Sequence, residues 1–379
     1  MVRWILLISL LAGPAMAQTC PPDRLPPLDA CAGPRVRIAL VGDVLIHEAL
    51  ARRGYAQGFD SVWGRAAPLL RAADLAIANL EGPVAPGLVA GGRPAADPGP
   101  VFDNRVHTDY PAFNYHPVLL ADLRRSGVDV VTTANNHALD RGPAGAQATL
   151  VQLDAARLAH VGSVMPGTPR WQPLRLRTAA GPLSLIACTY STNGIADPQR
   201  QVPRCYQDRE GLLTTVRAEA ARGAGVLVLP HWGQEYSTAP DRQQRGLARA
   251  LAEAGALAVV GTHPHVPQPW ETVEAGGRRM LAIYSTGNFV AAQPGLQTST
   301  APMVWLDVCR TPSGMTVGGA GYVAMQMRFD SRGPVLTLPR AGDDAQADAG
   351  LALLARLIPG RALSRDCRAQ PGARPPPDR

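Results

Sequence analysis

Six short stretches of this chain end in groups able to hold a metal ion or move a proton. Asp43 closes RVRIALVGD, Glu81 falls in ADLAIANLEG, and Asn136-His137 closes VDVVTTANNH. His231 falls in AGVLVLPHWG, His263 and His265 close ALAVVGTHPH, and Asn288 closes RMLAIYSTGN. Carboxylate, amide and imidazole together form a mixed oxygen and nitrogen donor set. Such a set suits Zn²⁺, Mn²⁺ or Fe and argues against an all-oxygen Ca²⁺ or Mg²⁺ cage. One or two ions fit the expected donors: Asp43, Glu81, Asn136, His231, His263 and His265. Two ions ~3.5–4 Å apart would clamp the attacking and leaving oxygens of a hydrolytic displacement. In His263-Pro264-His265, an extended i, i+2 spacing puts both imidazoles on one side of the backbone, and the proline stiffens the segment. The Asn136 amide oxygen can ligate without adding charge. His137 points away from that ligand position and is the candidate general acid. The alternative for Asn135, Asn136 and His137 is a cap on the helix starting near Gly142. Around these lie Asn79, Asn135 and Asn288 as supporting or substrate-facing amides. Glu235 is a partner for a ligating imidazole, and Trp232 is either a pocket wall or core packing.

The stretches that carry these groups are continuously apolar, and between several of them run helical segments: 117–127, 145–159, 209–223 and 241–255. The last two end in glycine, which suits a helix C-cap. Buried apolar strands alternating with helices indicate an α/β fold with largely parallel strands. In open α/β sheets the ligand site lies at the carboxyl ends of the strands, and those are the ends that carry Asp, Glu, Asn and His here. Residues 82–117, rich in Pro and Gly, follow directly on Glu81 and read as a substrate-side flap. Its His107 and His116 read as ordinary loop histidines. Residues 291–340 read as short strands and turns closing a second sheet, and 341–358 as a last helix. The expected organisation is a signal peptide at 1–17, an extended lead-in at 18–34, one domain at 35–340, and a helix with a disordered tail at 341–379.

Composition narrows the function further. The 379 residues are 46% hydrophobic, enough for a sizeable core. The formal charge of +7 comes from arginine alone, since the chain contains no lysine, so P-loop and Schiff-base lysine chemistry are excluded. The basic residues are scattered rather than striped, which argues against a nucleic-acid partner. No G-x-S-x-G elbow is present. MVRWILLISLLAGPAMAQ has a charged start, an apolar run and an Ala-Met-Ala cleavage site, as in a secretory signal. The expected location is periplasmic or secreted, or membrane-anchored if the segment is not cleaved. Export favours disulfides, and the sequence-adjacent pairing of the six cysteines is Cys20–Cys31, Cys188–Cys205 and Cys309–Cys367.

The ordered set VGDVLIH, ANLEG, TTANNHALDRG, LPHWGQEY, GTHPHVPQ and IYSTGNF resembles the CapA family of bacterial capsule-synthesis proteins, the poly-γ-glutamate type. The resemblance runs from about Arg35 to Phe289. It implies kinship with calcineurin-like metallophosphoesterases and their four-layer α/β/β/α sandwich. By that resemblance Asp43 matches the first metal aspartate, and Glu81 stands at the bridging position. Asn136-His137 matches the Asn-His pair, His231 the lone histidine, and His263-Pro264-His265 the closing His-x-His. One position departs: Leu45 stands where those enzymes carry a histidine, and His47 lies two residues further on. That leaves one metal position a ligand short. The resemblance implies a role in capsule or polyglutamate biosynthesis and export. The expected partner is an envelope polymer, or a small phosphoester or amide substrate, together with capsule-export machinery. The remaining alternatives are a non-catalytic polymer-handling component and a peptide-modifying enzyme of the epimerase kind.

Overall fold

The structure is a computed structural model and describes residue 22 and residues 24–364. Along the chain run β1 (Arg35–Val44), α1 (Glu48–Gln57), α2 (Asp60–Trp63), α3 (Ala67–Ala72), β2 (Leu75–Leu80), β3 (Leu88–Val89) and β4 (Arg93–Pro94). Next come α4 (Val118–Arg125), β5 (Val130–Thr132), α5 (Gly142–Ala155), β6 (Ala159–Val161), β7 (Leu174–Thr178), β8 (Gly181–Thr189), α6 (Arg209–Ala221) and β9 (Gly225–His231). The rest is α7 (Arg242–Ala254), β10 (Ala258–Val260), β11 (Trp270–Ala275), β12 (Arg278–Ile283), β13 (Asn288–Val290), α8 (Leu296–Ser299), β14 (Thr300–Thr311), β15 (Gly314–Asp330), β16 (Gly333–Thr337) and α9 (Ala345–Leu357).

Two sheets result. The first is ordered β16-β15-β14-β1-β2-β5-β6, with β13 also pairing β1, and the second β11-β12-β10-β9-β8-β7. The first sheet is parallel from β1 through β6 and antiparallel on its β14–β16 side, and the second is parallel at its centre with an antiparallel strand at each edge. The continuous apolar runs are explained by burial on both faces. Along β1, Val36, Ile38 and Leu40 enter a core shared with Leu227, Leu229 and Ile283 of the second sheet. Ala39 and Val41 face a separate core with α1 to α4. Along β9, Val226 and Val228 face outward into a third core with α6 and α7. The α/β class expected from the sequence is therefore present, with apolar packing between the sheets and outside each.

Helix ends follow local chemistry. Asp241 and Gln244 form a reciprocal capping box at the start of α7, and Gly255 closes that helix in the left-handed region. The short strands and turns expected at 291–340 to close a second sheet are not what forms. Residues 291–340 hold a long hairpin, a 12-residue β14 against a 17-residue β15, and it extends the first sheet, not the second. Segment 82–117 is a packed structure held by its own polar side chains. Asn114 bonds Ala85 in both directions and Val106, and the Asp103 carboxylate accepts the backbone N–H groups of Arg105, Val106 and His107. His107 and His116 bond backbone atoms of their own segment and the start of α4.

The disulfides correct the expected pairing. Cys188–Cys205 forms as expected, but Cys31 pairs with Cys309, so neither Cys20–Cys31 nor Cys309–Cys367 exists. The reason is topological: residues 27–28 run antiparallel along β15 at Gly318–Gly319, which brings Cys31 beside the neighbouring strand β14. Cys20, Cys367, the signal segment and the tail lie outside the described residues. Among the described residues no helix is long and apolar enough to cross a membrane.

Candidate metal centre

Strand register assembles the site. In the first sheet Asn288, Asp43, Asn79 and Thr132 stand in one row across β13, β1, β2 and β5. In the second, Thr189, His231 and Thr262 form a matching row. Both rows lie at or just beyond carboxyl ends of parallel strands, except that Asn288, expected to close the strand running to it, instead opens β13 beyond the end of β12. The strands approach so closely that side chains are excluded at two points. A Cβ on Gly42 would lie 1.7 Å from the Gly287 carbonyl oxygen, and one on Gly261 2.2 Å from that of Tyr284.

The row of amides holds the carboxylate and one imidazole in place. Asn79 donates to Asp43 Oδ1 at 2.7 Å, while its own Oδ1 accepts from Thr132 at 2.8 Å and from Asn135 at 3.4 Å. Asn288 Oδ1 lies 3.0 Å from His265 Nδ1, which is also 3.1 Å from Asp43 Oδ2. His231 Nε2 lies 2.8 Å from Asn136 Oδ1 and 3.4 Å from Glu81 Oε1, with Thr262 Oγ1 at 2.9 Å on its Nδ1. His263 and His265 do converge, with ring centroids 5.9 Å apart. They do so differently from the expected extended segment: both sit in the left-handed region, at φ 98° and φ 60°. Non-glycine residues adopt such conformations at a cost and concentrate them at functional sites.

Whether a cation fits can be read from the polar atoms. Glu81 is fully buried, and neither carboxylate oxygen has a hydrogen-bond partner; His263 Nδ1 is likewise buried and unpartnered. Glu81 Oε1 has only ion-pair contacts, His231 Nε2 at 3.4 Å and His265 Nε2 at 3.9 Å, and a buried carboxylate without hydrogen bonds is costly. Three groupings bring one ligand atom per residue within 4.8 Å of one another: Glu81, His231 and His263; Asp43, Glu81 and His265; Glu235, His263 and His265. These donors fit a divalent transition ion. The charges pull in the same sense. Burial pushes the Asp43 carboxyl up, and the neighbouring Glu81 charge adds to this. Burial also works to raise Glu81, but the imidazoles of His265 and His231 hold it below the usual carboxylate range. Burial opposes a charged His265, yet Glu81 and Asp43 push it up to about 9. His263 is driven well down by burial and by His231.

Residues 37–293 match the family described as bacterial capsule synthesis protein PGA_cap. The chain belongs to this family. It is 28% identical over 284 residues to the PGA biosynthesis protein CapA of Bacillus subtilis (strain 168), covering 73% of this chain and 68% of that one. It is 24% identical over 279 residues to the capsule biosynthesis protein CapA of Bacillus anthracis, covering 71% and 63%. Among solved structures it is similar to a hypothetical protein from Thermus thermophilus, with TM-score 0.38, 20% identity, and 79% and 97% coverage. It is also similar to the calcineurin-like phosphoesterase YfkN from Bacillus subtilis, with TM-score 0.40, 11% identity, and 86% and 97% coverage.

Within this PGA_cap domain, two expected supporting residues stand elsewhere. Trp232 is buried in the outer core of the second sheet and donates to the Tyr284 carbonyl at 2.9 Å, so it is no pocket wall. Glu235 is exposed and makes no hydrogen bond to an imidazole; its carboxylate faces the ligand atoms of His263 and His265 instead. Leu45 is turned into the apolar core, and His47, whose Nδ1 meets the Ala292 N–H, belongs to none of the groupings of converging ligand atoms. Sequence reading missed three groups. Asp140 accepts from His137 Nδ1 at 2.7 Å; the i, i+3 spacing in HALD was the available signal. Phe113, from the 82–117 segment, packs edge-on against His137 at 4.8 Å. Tyr190 covers His263 with ring centroids 4.3 Å apart. Only long-range packing brings these last two to the site.

Proposed function

We propose that this chain is an exported, metal-dependent enzyme that hydrolyses or transfers a phosphoester or amide bond of an envelope polymer during capsule or poly-γ-glutamate assembly. The observation that carries this reading is Glu81, a fully buried carboxylate with no hydrogen bond to either oxygen, set among His231, His263 and His265. Asp43, Glu81 and His265 would hold one ion; Glu81, Asn136, His231 and His263 a second, of Mn, Zn or Fe. Bound there, the ion supplies Lewis acidity towards a substrate oxygen.

The remaining work falls to the chain itself. His137 donates its Nδ1 proton to Asp140, which fixes the ring and leaves Nε2 to carry a proton towards a leaving group. Burial lowers the His137 pKa, but the Asp140 carboxylate more than offsets this and raises it, favouring the acid form. Asp140 is itself held by the Phe113 N–H at 2.7 Å. Phe113 and Tyr190 limit water at the two histidines. The leader-like first 17 residues and the two disulfides support export.

Purified protein should turn over a simple phosphodiester or a polyglutamate chain, lose that activity to a chelator and regain it on adding Mn²⁺ or Zn²⁺. Inactivity on both substrate classes under full metal loading would favour a polymer-handling component without catalysis.

A further inference from the structure

We infer that Glu235 is a metal ligand, the fourth donor of the ion held by Asp43, Glu81 and His265. The inference rests on the metal reading above and goes beyond it. The donors are unevenly divided. Glu81, His231 and His263 with the Asn136 amide make four, the number a transition ion commonly takes. Asp43, Glu81 and His265 make three. No further donor comes from the segment just after β1, where Leu45 is buried in the apolar core and His47 belongs to no converging donor group. The Glu235 carboxylate lies within 4.8 Å of the ligand atoms of His263 and His265 but not of Asp43 and Glu81 together, so it joins the three-donor group through His265 and must swing inward to complete it.

Its position is built rather than incidental. Glu235 sits in a tight turn latched to the His-Pro-His segment, where the Tyr236 N–H donates to the Pro264 carbonyl at 2.8 Å. On the other side, Gln268 donates to the Ser237 carbonyl at 2.8 Å and accepts from Gln244 at 2.9 Å. Gly233, at φ 92°, lies so close to Gln244 that a Cβ there would meet it at 2.7 Å. Near this carboxylate His263 Nδ1 is buried without a hydrogen-bond partner, as are both oxygens of Glu81, which is grouped with the same two histidines. Glu235, by contrast, is solvent-exposed. It is thus the donor at the mouth, the one a substrate entering the site meets first.

The test is a Mn²⁺ titration of the full metal-free protein, wild type against Glu235→Gln, read by electron paramagnetic resonance of free Mn²⁺. The expected result is two bound equivalents in wild type. In the variant, one equivalent keeps its affinity and the other weakens ~10–100-fold, the scale seen when groups supporting a metal are removed. The thermal midpoint of the metal-free variant should match wild type, because the exposed carboxylate holds no fold contact. Identical isotherms for the two proteins would overturn the assignment and leave the metal reading intact. Absence of Mn²⁺ binding in wild type would overturn both.

Discussion

Glu81 is buried without a hydrogen bond to either oxygen, and in the metal-free protein its charge is countered by the imidazoles of His265 and His231. Its neighbours Asn136 and His137 divide two tasks by direction: the Asn136 amide lies against His231, while His137 turns to Asp140. Asn136→Ala should therefore lower metal content and activity together. His137→Ala should keep the metal and slow turnover by ~10²-fold or more. Paired metal stoichiometry and rate measurements check this, and the opposite pattern would reverse the two roles. A pH dependence follows from His265, whose pKa in the metal-free protein rises above its ordinary value to about 9. At pH 7 that ring is charged, and a cation must displace its proton. Metal affinity should rise with pH up to about 9, with proton release measurable by calorimetry in two buffers. Metal-free stability has the opposite sign. The contribution of charged His265 is complete below its ordinary pKa and fades as pH rises through 9.

At the scale of elements, polar ends on parallel strands place the donors. This much was legible in the sequence, because a continuous apolar run ending in Asp, Glu, Asn or His marks a buried strand and its carboxyl terminus together. The geometry of His263-Pro264-His265 was not legible: spacing alone does not distinguish an extended segment from two left-handed residues. Nor was the Cys31–Cys309 pairing, which depends on where β15 receives the lead-in. Asp140, Phe113 and Tyr190 come from a turn, a packed insertion and a disulfide-closed loop, whose placement rests on tertiary contacts. That last dependence is testable. Cys188–Cys205 spans 17 residues and closes the segment carrying Tyr190. Replacing both with Ser should cost about 3 kcal/mol, the scale for a loop of that size. Denaturant unfolding checks it, with near-unchanged stability contradicting a structural role.

At the scale of the whole molecule, two sheets share one core, and each is backed by another, so the rim where both sets of strand ends meet is supported by packing on every layer. Such a scaffold holds ligands in place before metal arrives. The sequence foretold the α/β class and the converging strand ends, but not the long β14–β15 hairpin that both ends of the described chain clasp. Export predicts a mature chain beginning at Gln18 with Cys31–Cys309 and Cys188–Cys205 intact, as non-reducing mass spectrometry of material from the producing cell would show. The central claim is that these strand ends form a metal centre, and elemental analysis of the purified protein tests it most directly. Wild type, dialysed after loading with Mn²⁺ or Zn²⁺, should retain one to two equivalents, and His263→Ala with His265→Ala should lose most of them while staying folded. Wild type that retains no metal after loading would contradict the account.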